Sequence, residues 1–428
     1  MKLLHRIIIP VALLLLQSLP GAASEPGRAN PGASGPDTTT LSGEGIKSVN
    51  VFSIGEAGSK YYRIPAICRA ADGSLIAVAD QRRSSKEDIS LHPEGIRLVA
   101  KISHDNGLTW GELFPLFPDW KDDAGHPVSH GDAALALFPP TGDMVCVFCA
   151  RESYHTSDPH SPGEIYVSTS SDNGQTWKTP FRIDPMLKAQ IDSAHARVGS
   201  PLRFFTGFGA SGNMLSCAEG VAFVMNGRHL SETADPSRGY EYVCLLSAGD
   251  YSAMKWTVTN PASPVCADGS GNESKIILAG NNRLMMSIRT PGDHRFAFSD
   301  DFGATWSEPS AAEPDGAHAP AIPEPGCNGG FLRYTDENGG TDRLYLSVPS
   351  RLDEGVRSDV TLYYSDDGGS RWHRSLLLVP GPSAYSTLRD AGDGRIGCLL
   401  ECGDDISGYD IRYLEMLVGA TTSAESRP

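Results

Sequence analysis

Short runs of alternating apolar and polar residues recur along the chain, and four of them lead directly into the same polar pattern. An alternation with a period of two residues is typical of a β-strand with one buried face. The pattern that follows contains Asp, whose carboxylate accepts backbone N–H bonds, and Gly, which tolerates a positive φ. Each run is therefore predicted to be a strand that ends in a tight turn. The four runs are IRLVAKIS (96–103), EIYVSTS (164–170), RFAFS (295–299) and VTLYYS (360–365).

The turn pattern is an eight-residue repeat, Ser-x-Asp-x-Gly-x-Thr-Trp. Its copies begin at Ser103, Ser170, Ser299 and Ser365, at steps of 67, 129 and 66 residues, and the last has Arg371 in place of Thr. Because the middle step is nearly double the others, one repeat is expected to have lost its signature. The aspartates are interpreted as turn-stabilising residues, and the Trp side chains are expected to pack against a neighbouring strand layer.

A pitch near 65 residues has room for four short strands and their turns, which is the size of a propeller blade. We find no long stretch with a 3.6-residue period, so a helical solenoid is disfavoured. The sequence predicts an all-β fold, a six-bladed β-propeller over residues 44–420, followed by a tail at 421–428. The two ends of the propeller are expected to complete one blade together.

The N-terminus has the features of a secretory signal peptide over residues 1–24. Lys2 and Arg6 precede the apolar run IIIPVALLLL, and small residues follow it. Residues 25–43, rich in Gly, Pro, Ser and Thr, are expected to form a flexible lead-in. The protein is therefore expected to be secreted, periplasmic or at the cell surface, with no integral membrane segment after removal of the signal.

The net charge and the cysteine count limit the classes of ligand that the protein is expected to bind. The formal net charge of −16 argues against nucleic acid, and an anionic substrate would need a local basic pocket. The nine cysteines are an odd number, so at least one is not in an intramolecular disulfide. The pairs Cys146/Cys149 and Cys398/Cys402 lie in apolar runs without the flanking turns or His partners of a zinc site, and buried thiols are expected there.

The sequence Tyr62-Arg63-Ile64-Pro65 places a charged residue among aromatic and apolar ones, which suits an arginine that faces an anion. With this motif and the four repeats, the chain resembles the bacterial-type exo-sialidases and their trans-sialidase relatives over residues 45–417. The repeats match the Asp boxes of that family. The resemblance implies a six-bladed propeller whose Asp boxes lie away from the active site.

The resemblance also implies a clamp of three arginines for the carboxylate of sialic acid. Arg63, Arg289 and Arg357 match its positions, and Glu401 matches the residue that supports the first arginine. Guanidinium groups suit this task because they offer a planar pair of donors and keep their charge. The Gly-rich stretch 207–220 is a candidate lining of the pocket for the acyl group.

Five further residues receive roles from the same resemblance. Tyr385 would be the nucleophile, with Glu273 as the base that takes its proton. Asp88 would be the acid/base, with Arg82 as its partner, and Asp132 would contact the sugar ring. A neutral Tyr suits this substrate because an anionic Asp or Glu nucleophile would approach the substrate carboxylate against like charge.

The function implied is a secreted exo-α-sialidase that cleaves terminal sialic acid from glycoproteins, glycolipids and oligosaccharides with retention, without metal or organic cofactor. One alternative is a trans-sialidase, and another is a non-catalytic Asp-box propeller that binds ligands. Transferring relatives carry a Trp two residues before the third arginine of the clamp, where this chain has Gly355. Hydrolysis is therefore expected, with Trp120 or Tyr154 as the candidates for a substitute acceptor platform.

Overall fold

The computed structural model describes most of the chain between residues 46 and 418. The predicted signal peptide (1–24), the lead-in (25–43) and the tail (421–428) lie outside the described residues, as does Tyr154. Within the described part, no helix has the length and apolarity needed to cross a membrane. The described ranges are 46–152, 160–209, 211–230, 238–280, 282–290, 292–312, 322–336 and 341–418.

The first half of the chain forms three antiparallel meanders after an initial strand, β1 (Lys47–Phe52). The first contains β2 (Tyr61–Arg69), β3 (Leu75–Arg82), β4 (Arg97–Ser103) and β5 (Phe114–Pro115). A hairpin of β6 (Trp120–Lys121) and β7 (Pro127–Val128) leads to β8 (His130–Phe138), β9 (Asp143–Ala150), β10 (Glu164–Ser170) and β11 (Phe181–Arg182). The third meander follows the helix α1 (Asp184–Arg197) and comprises β12 (Phe204–Gly209), β14 (Leu215–Cys217), β15 (Gly220–His229), β16 (Tyr240–Ser247) and β17 (Thr257–Val258). The short strand β13 (Gly212–Asn213), between β12 and β14 in the chain, pairs in parallel with β8 of the second meander.

The second half continues the same plan. A four-stranded sheet contains β18 (Ser274–Leu278), β19 (Leu284–Ile288), β21 (Arg295–Ser299) and β22 (Ser310–Ala311), while β20 (Gly292–Asp293) pairs with β23 (Pro323–Glu324). The last strands are β24 (Gly330–Thr335), β25 (Asp342–Asp353), β26 (Val356–Ser365), β27 (His373–Gly392), β28 (Arg395–Asp404) and β29 (Gly408–Leu417). The long strand β27 pairs with β26 through its first half and with β28 through its second.

The two ends of the described chain share one sheet, as the sequence predicted. β1 pairs antiparallel with β29, with Lys47 opposite Glu415. Neighbouring sheets pack through apolar faces: Ile76 and Val78 of β3 share a buried cluster with Leu135 of β8. This face-to-face packing of antiparallel sheets is consistent with a β-propeller.

Helix α1 is an exception to the all-β prediction. Its apolar stripe consists of Leu187, Ile191 and Ala194, all buried, and the first two belong to the apolar cluster between the second and third meanders. Pro185 stands in the first turn, where a proline costs no hydrogen bond. The helix was missed because polar residues interrupt its apolar stripe and its N-cap, Ile183, makes no side-chain capping bond.

The Asp boxes are closed hydrogen-bonded turns, as predicted. In the first box, Oδ1 of Asp105 accepts bonds from the Ser103 hydroxyl (2.8 Å) and the Thr109 N–H (2.8 Å). Oδ2 of Asp105 accepts from the Thr109 hydroxyl at 2.6 Å, and the Trp110 indole donates to the carbonyl of Gly107 at 3.1 Å. The carboxylate of Asp105 thus accepts the hydrogen bonds that hold the turn between β4 and β5 in place.

The same contacts recur after β10 and β21, whereas the fourth box lacks one of them. There Asp367 accepts from the Ser365 hydroxyl (2.9 Å) and the Arg371 N–H (2.9 Å), but Arg371 has no hydroxyl to offer. A degenerate box follows β16, where Ser247 donates to Asp250 at 2.8 Å and Trp256 is fully buried. This turn lies between the second and third boxes, where the sequence predicted a repeat without its signature, and it contains a 3₁₀ turn over Tyr251–Ala253.

All nine cysteines are among the described residues, and each is a free thiol. Cys146 and Cys149 lie in β9, and Cys398 and Cys402 in β28, all buried as predicted. Burial raises the pKa of Cys402 to about 12, so this thiol stays protonated at neutral pH. These cysteines therefore pack as small apolar residues.

Candidate active site

Arg63 lies in β2 at a point where the pairing with β3 is interrupted, between Arg63 and Ala66. The next residue, Ile64, has a φ of 57°, which is unusual for a β-branched side chain. Oε1 of Glu401 accepts bonds from both the Arg63 Nε–H and the Ile64 N–H, each at 2.8 Å. One carboxylate oxygen therefore holds the arginine and its strained neighbour together.

Glu401 is fully buried in β28 and connects two strands of the site. Its Oε2 accepts the backbone N–H of Tyr385 at 3.2 Å. Burial opposes the charge of Arg63, but Glu401 outweighs it and raises the pKa of that guanidinium. The ring of Tyr409, a residue that the sequence analysis did not single out, lies 4.3 Å from Cζ of Arg63. Arg63 is thus fixed on one side by a carboxylate and on the other by an aromatic face.

Tyr385 and Glu273 form a buried pair. Tyr385 lies within the 20-residue strand β27. Its hydroxyl donates to Oε2 of Glu273 at 2.7 Å, and Nη1 of Arg289 donates to both the hydroxyl (3.0 Å) and the same Glu273 oxygen. Burial and the charge of Glu273 raise the pKa of Tyr385, while Arg289 and Arg357 oppose that rise. The phenol is therefore neutral, with its proton directed at a carboxylate.

Three guanidinium groups surround Tyr385. Cζ of Arg357 lies 5.3 Å from the centre of the Tyr385 ring, and Cζ of Arg63 lies 5.6 Å from it. Arg357 is the second residue of β26, and its Nη2 donates to the carbonyl of Gly326 at 2.6 Å. The arrangement concentrates positive charge in a protein of strongly negative net charge, and planar donors of this kind suit a carboxylate.

Asp88 lies on the loop between β3 and β4 with 45% of its side chain exposed. Nη2 of Arg82 donates to Oδ1 of Asp88 at 3.0 Å and to Oδ2 of Asp80 at 2.9 Å. Oδ1 of Asp80 accepts the N–H of Asp132 at 3.0 Å. Burial raises the pKa of Asp80 to about 6, and burial together with the charges of Asp88 and Asp80 raises the pKa of Asp132. Three carboxylates thus gather around one arginine.

These two groups face a common cavity of about 120 Å³. Arg63, Arg357 and Arg82 do not line this cavity: Arg63 and Arg357 lie against the ring of Tyr385, and Arg82 is bonded to Asp88. The predicted residues in its wall are Asp88, Asp132, Glu273, Arg289 and Tyr385. Of the Gly-rich stretch 207–220, Gly207 and Phe208 line the cavity.

The cavity wall also contains residues that sequence reasoning missed. Glu164 lines the cavity, and its carboxylate accepts bonds from Arg182 (2.5 Å), Arg151 (2.9 Å) and Tyr166 (2.8 Å). The only sequence signal is that Glu164 is the first residue of a strand that leads into an Asp box. Trp120, a candidate for the acceptor platform, packs its ring against other aromatic rings. Among the described residues, no His, Cys, Asp and Glu side chains are grouped as a metal site.

Comparison with known proteins places this geometry in context. Residues 169–398 match the family described as "BNR repeat-like domain". A sialidase from Micromonospora viridifaciens is 25% identical over 388 residues, an alignment covering 84% of this chain. The chain spans 53% of that relative's own length.

Two solved structures are similar in fold. The Hadza microbial sialidase Hz136 gives a TM-score of 0.70 at 22% identity, covering 89% of this chain and 69% of that chain. The intramolecular trans-sialidase from Ruminococcus gnavus gives a TM-score of 0.63 at 15% identity, covering 89% of this chain and 99% of that chain. At these identities the similarity establishes the fold and leaves the chemistry to be argued from the site.

Proposed function

The chain belongs to the BNR repeat-like domain family, and from this premise we propose that it is an exo-α-sialidase, which removes terminal sialic acid from glycans. The observation that carries the proposal is the set of three guanidinium groups around one buried Tyr whose hydroxyl is bonded to a buried Glu. The similarity to sialidases supports the substrate class.

Arg63, Arg289 and Arg357 bind the carboxylate of sialic acid. Three fixed cations repel one another, and the substrate anion relieves that repulsion. Arg63 is already oriented by Glu401 at 2.8 Å, so little side-chain freedom is lost when the anion binds. The carboxylate is held in both the ground state and the transition state, and it places the anomeric carbon next to Tyr385.

In the first chemical step, the Tyr385 oxygen bonds to the anomeric carbon while the bond to the glycosidic oxygen breaks. Glu273 takes the phenol proton through the 2.7 Å hydrogen bond, and Asp88 gives a proton to the leaving oxygen. Asp132 contacts the sugar ring from the cavity wall. A phenol that is neutral until it reacts avoids the repulsion that an anionic nucleophile would meet at the substrate carboxylate.

In the second step, Asp88 removes a proton from water, which attacks the anomeric carbon and displaces Tyr385. Glu273 returns the proton to the phenolate. Two displacements at one carbon give net retention of configuration. Neither step requires a metal or an organic cofactor, since the side chains supply all proton transfers.

The proposed architecture is a closed six-bladed propeller in which β1 completes the blade formed by the last strands. The β1–β29 pairing and the sharing of β27 between two successive sheets support it. We also propose export across a membrane, on the strength of the signal-like residues 1–24. Mass analysis of the N-terminus of protein recovered from the native host tests that cleavage.

The test of the function is release of sialic acid from a methylumbelliferyl sialoside, with the Tyr385→Phe variant as the matched control. Steady release by the wild type and none by the variant supports the proposal. Binding of free sialic acid without turnover of any sialoside contradicts it and favours a non-catalytic binding propeller.

Trans-sialidase activity is the second candidate, because the similarity extends to an intramolecular trans-sialidase. Hydrolysis is favoured by the turn between β25 and β26, where Glu354 has a φ of 49° and Gly355 a φ of 86°. A Trp at Gly355 would be strained, and the ring of Trp120 is engaged in core packing. Incubation with a sialoside and millimolar lactose separates the two: early formation of mainly sialyllactose, or of an anhydro sugar in place of free sialic acid, contradicts the hydrolase.

A further inference from the structure

Asp80 is a fully buried carboxylate that does not line the cavity, yet it contacts two predicted site residues. Its Oδ2 accepts from Arg82 at 2.9 Å and its Oδ1 accepts the N–H of Asp132 at 3.0 Å. Asp80 lies in β3 and Asp132 in β8, so the carboxylate joins two successive meanders. Burying a charge is costly without a partner of opposite charge, and Arg82 supplies that partner.

The chain around Asp80 is built to admit it. A Cβ atom on Gly131 would lie 2.7 Å from Oδ2 of Asp80, so only glycine allows β8 to approach this closely. The following residue, Asp132, has a φ of 58° in a segment where the β8–β9 pairing shifts. The bond from its N–H to Asp80 stabilises that left-handed backbone.

Arg82, which Asp80 holds, is hydrogen-bonded in turn to the loop that carries Asp88. Its Nη2 donates to Asp88 at 3.0 Å, while its Nη1 donates to the carbonyls of Lys86 (3.0 Å) and Glu87 (3.3 Å). The guanidinium is buried, whereas Asp88 is half-exposed on a loop. The position of Asp88 therefore depends on where Arg82 is held.

We propose that Asp80 is a positioning residue for the acid/base: by fixing Arg82 it holds Asp88 where the glycosidic oxygen leaves. The inference rests on the proposed sialidase function and extends it to a residue that does not touch the substrate. Asp80 also divides the interaction of Arg82 between two carboxylates. Without it, Arg82 would lose its buried partner, and the loop that carries Asp88 would no longer be held in one place.

The test uses two substrates that differ in their need for an acid. An aryl leaving group departs with little protonation, whereas the sugar alcohol of sialyllactose needs a proton. In Asp80→Asn, kcat/KM for sialyllactose should fall by about 100-fold, at the low end of the roughly 10²–10⁴-fold that general acid catalysis contributes. For methylumbelliferyl sialoside the fall should stay within about threefold, because that step depends on Tyr385 and the arginines.

Glu415→Gln is the matched control. Glu415 is another buried carboxylate, bonded to Lys47 (3.1 Å) and Asn106 (2.9 Å), and it is not among the residues of the cavity. Any change that Glu415→Gln causes in kcat/KM should be the same for the two substrates. If Asp80→Asn lowers the two rates by the same factor, or lowers neither, the positioning role is wrong.

Asp80→Ser serves as a second variant where Asp80→Asn fails to fold, since it leaves room for water beside Arg82. The same selective loss supports the proposal, and an equal loss overturns it. A folded wild type that cleaves neither substrate overturns the proposed function instead, so the two failures are distinguishable.

Discussion

The Asp-box turns and the candidate active site both depend on buried or half-buried aspartates, but they use them in opposite ways. The partners of Asp105 in its box lie two to four residues away in the chain. In the site, Arg63 contacts Glu401 across 338 residues, and Tyr385 contacts Glu273 across 112. The boxes are local structures repeated along the chain, whereas the site exists only when distant strands meet.

The carboxyl pKa values of the boxes and of the site also shift in opposite directions. Burial works against the charge of Asp105, but hydrogen bonds from Thr109 and Ser103 outweigh it and lower its pKa. In the site, burial prevails and raises the pKa of Asp80 to about 6 and that of Asp132 above its usual range. A box stabilises an anion so that a turn persists, while burial in the site favours the protonated form of these two carboxyls, of which Asp132 lines the cavity. Raised carboxyl pKa values in a cavity are a mark of functional sites.

The largest expected effect is the loss of turnover in Tyr385→Phe. Removal of the hydroxyl removes the nucleophile, so kcat should fall by on the order of 10³-fold or more. Binding of sialic acid should change little, because the three guanidinium groups remain. Turnover is measured with an aryl sialoside, and binding by calorimetry.

A fluorinated sialosyl reagent should label Tyr385 in the wild type. Mass spectrometry of the digested adduct identifies the residue. Labelling of another residue would show that the buried pair of Tyr385 and Glu273 is structural, so that the site would not differ from the Asp boxes in chemical role.

Arg357→Lys should have the next largest effect, a loss of about 2–4 kcal/mol in kcat/KM. Lys keeps the charge but loses the planar donors, the contact over the Tyr385 ring and the bond to the carbonyl of Gly326. Arg351→Lys is the control, because Arg351 lies on the same hairpin and pairs with Asp359 at 3.1 Å on the exposed side. Equal activity of the two variants would place Arg357 outside the clamp.

Sequence alone predicted the local half of this comparison well. The strand-and-turn pattern located four boxes, because the residues of each box interact within eight positions, and the doubled step indicated a further repeat without giving its position. The pairing of the two chain ends followed from the repeat length. Helix α1 was missed because its buried stripe is short and interrupted by polar residues.

The site residues, whose contacts join distant parts of the chain, were predicted from the family resemblance and not from the sequence pattern. Nothing in the spacing of Arg289, Arg357 and Tyr385 shows that they meet, since that depends on which strands become neighbours. Asp80 and Tyr409 went unnoticed for the same reason, although an Asp two residues before an Arg in an apolar strand is a signal of a buried pair. The roles of all these residues stay predictions until they are measured.

Asp172→Ala should lower stability by roughly 1–3 kcal/mol and leave kcat unchanged. Asp172 accepts from Ser170 (2.7 Å) and from both the N–H (2.9 Å) and the hydroxyl of Thr176. Burial opposes its charge, but these bonds lower the pKa of Asp172, so its contribution is fully present above the ordinary pKa of Asp. The difference in thermal midpoint between wild type and variant should narrow as the pH falls below about 4. A loss of kcat at an unchanged midpoint would contradict the structural role.

The smallest expected effect is a gain, in Arg371→Thr. The fourth box lacks the hydroxyl bond that the other three make to the second carboxylate oxygen, and Thr would restore it on Asp367. An added hydrogen bond contributes about 0.5–1.5 kcal/mol, and the exposed attraction between Arg371 and Asp367 that is lost contributes little in water. The thermal midpoint should therefore rise, with catalysis unchanged. Arg371→Val has the shape of Thr without the hydroxyl and is the matched control. If Val stabilises the protein as much as Thr does, the gain comes from removing Arg371, and the hydroxyl contact is not what sets the stability of a box.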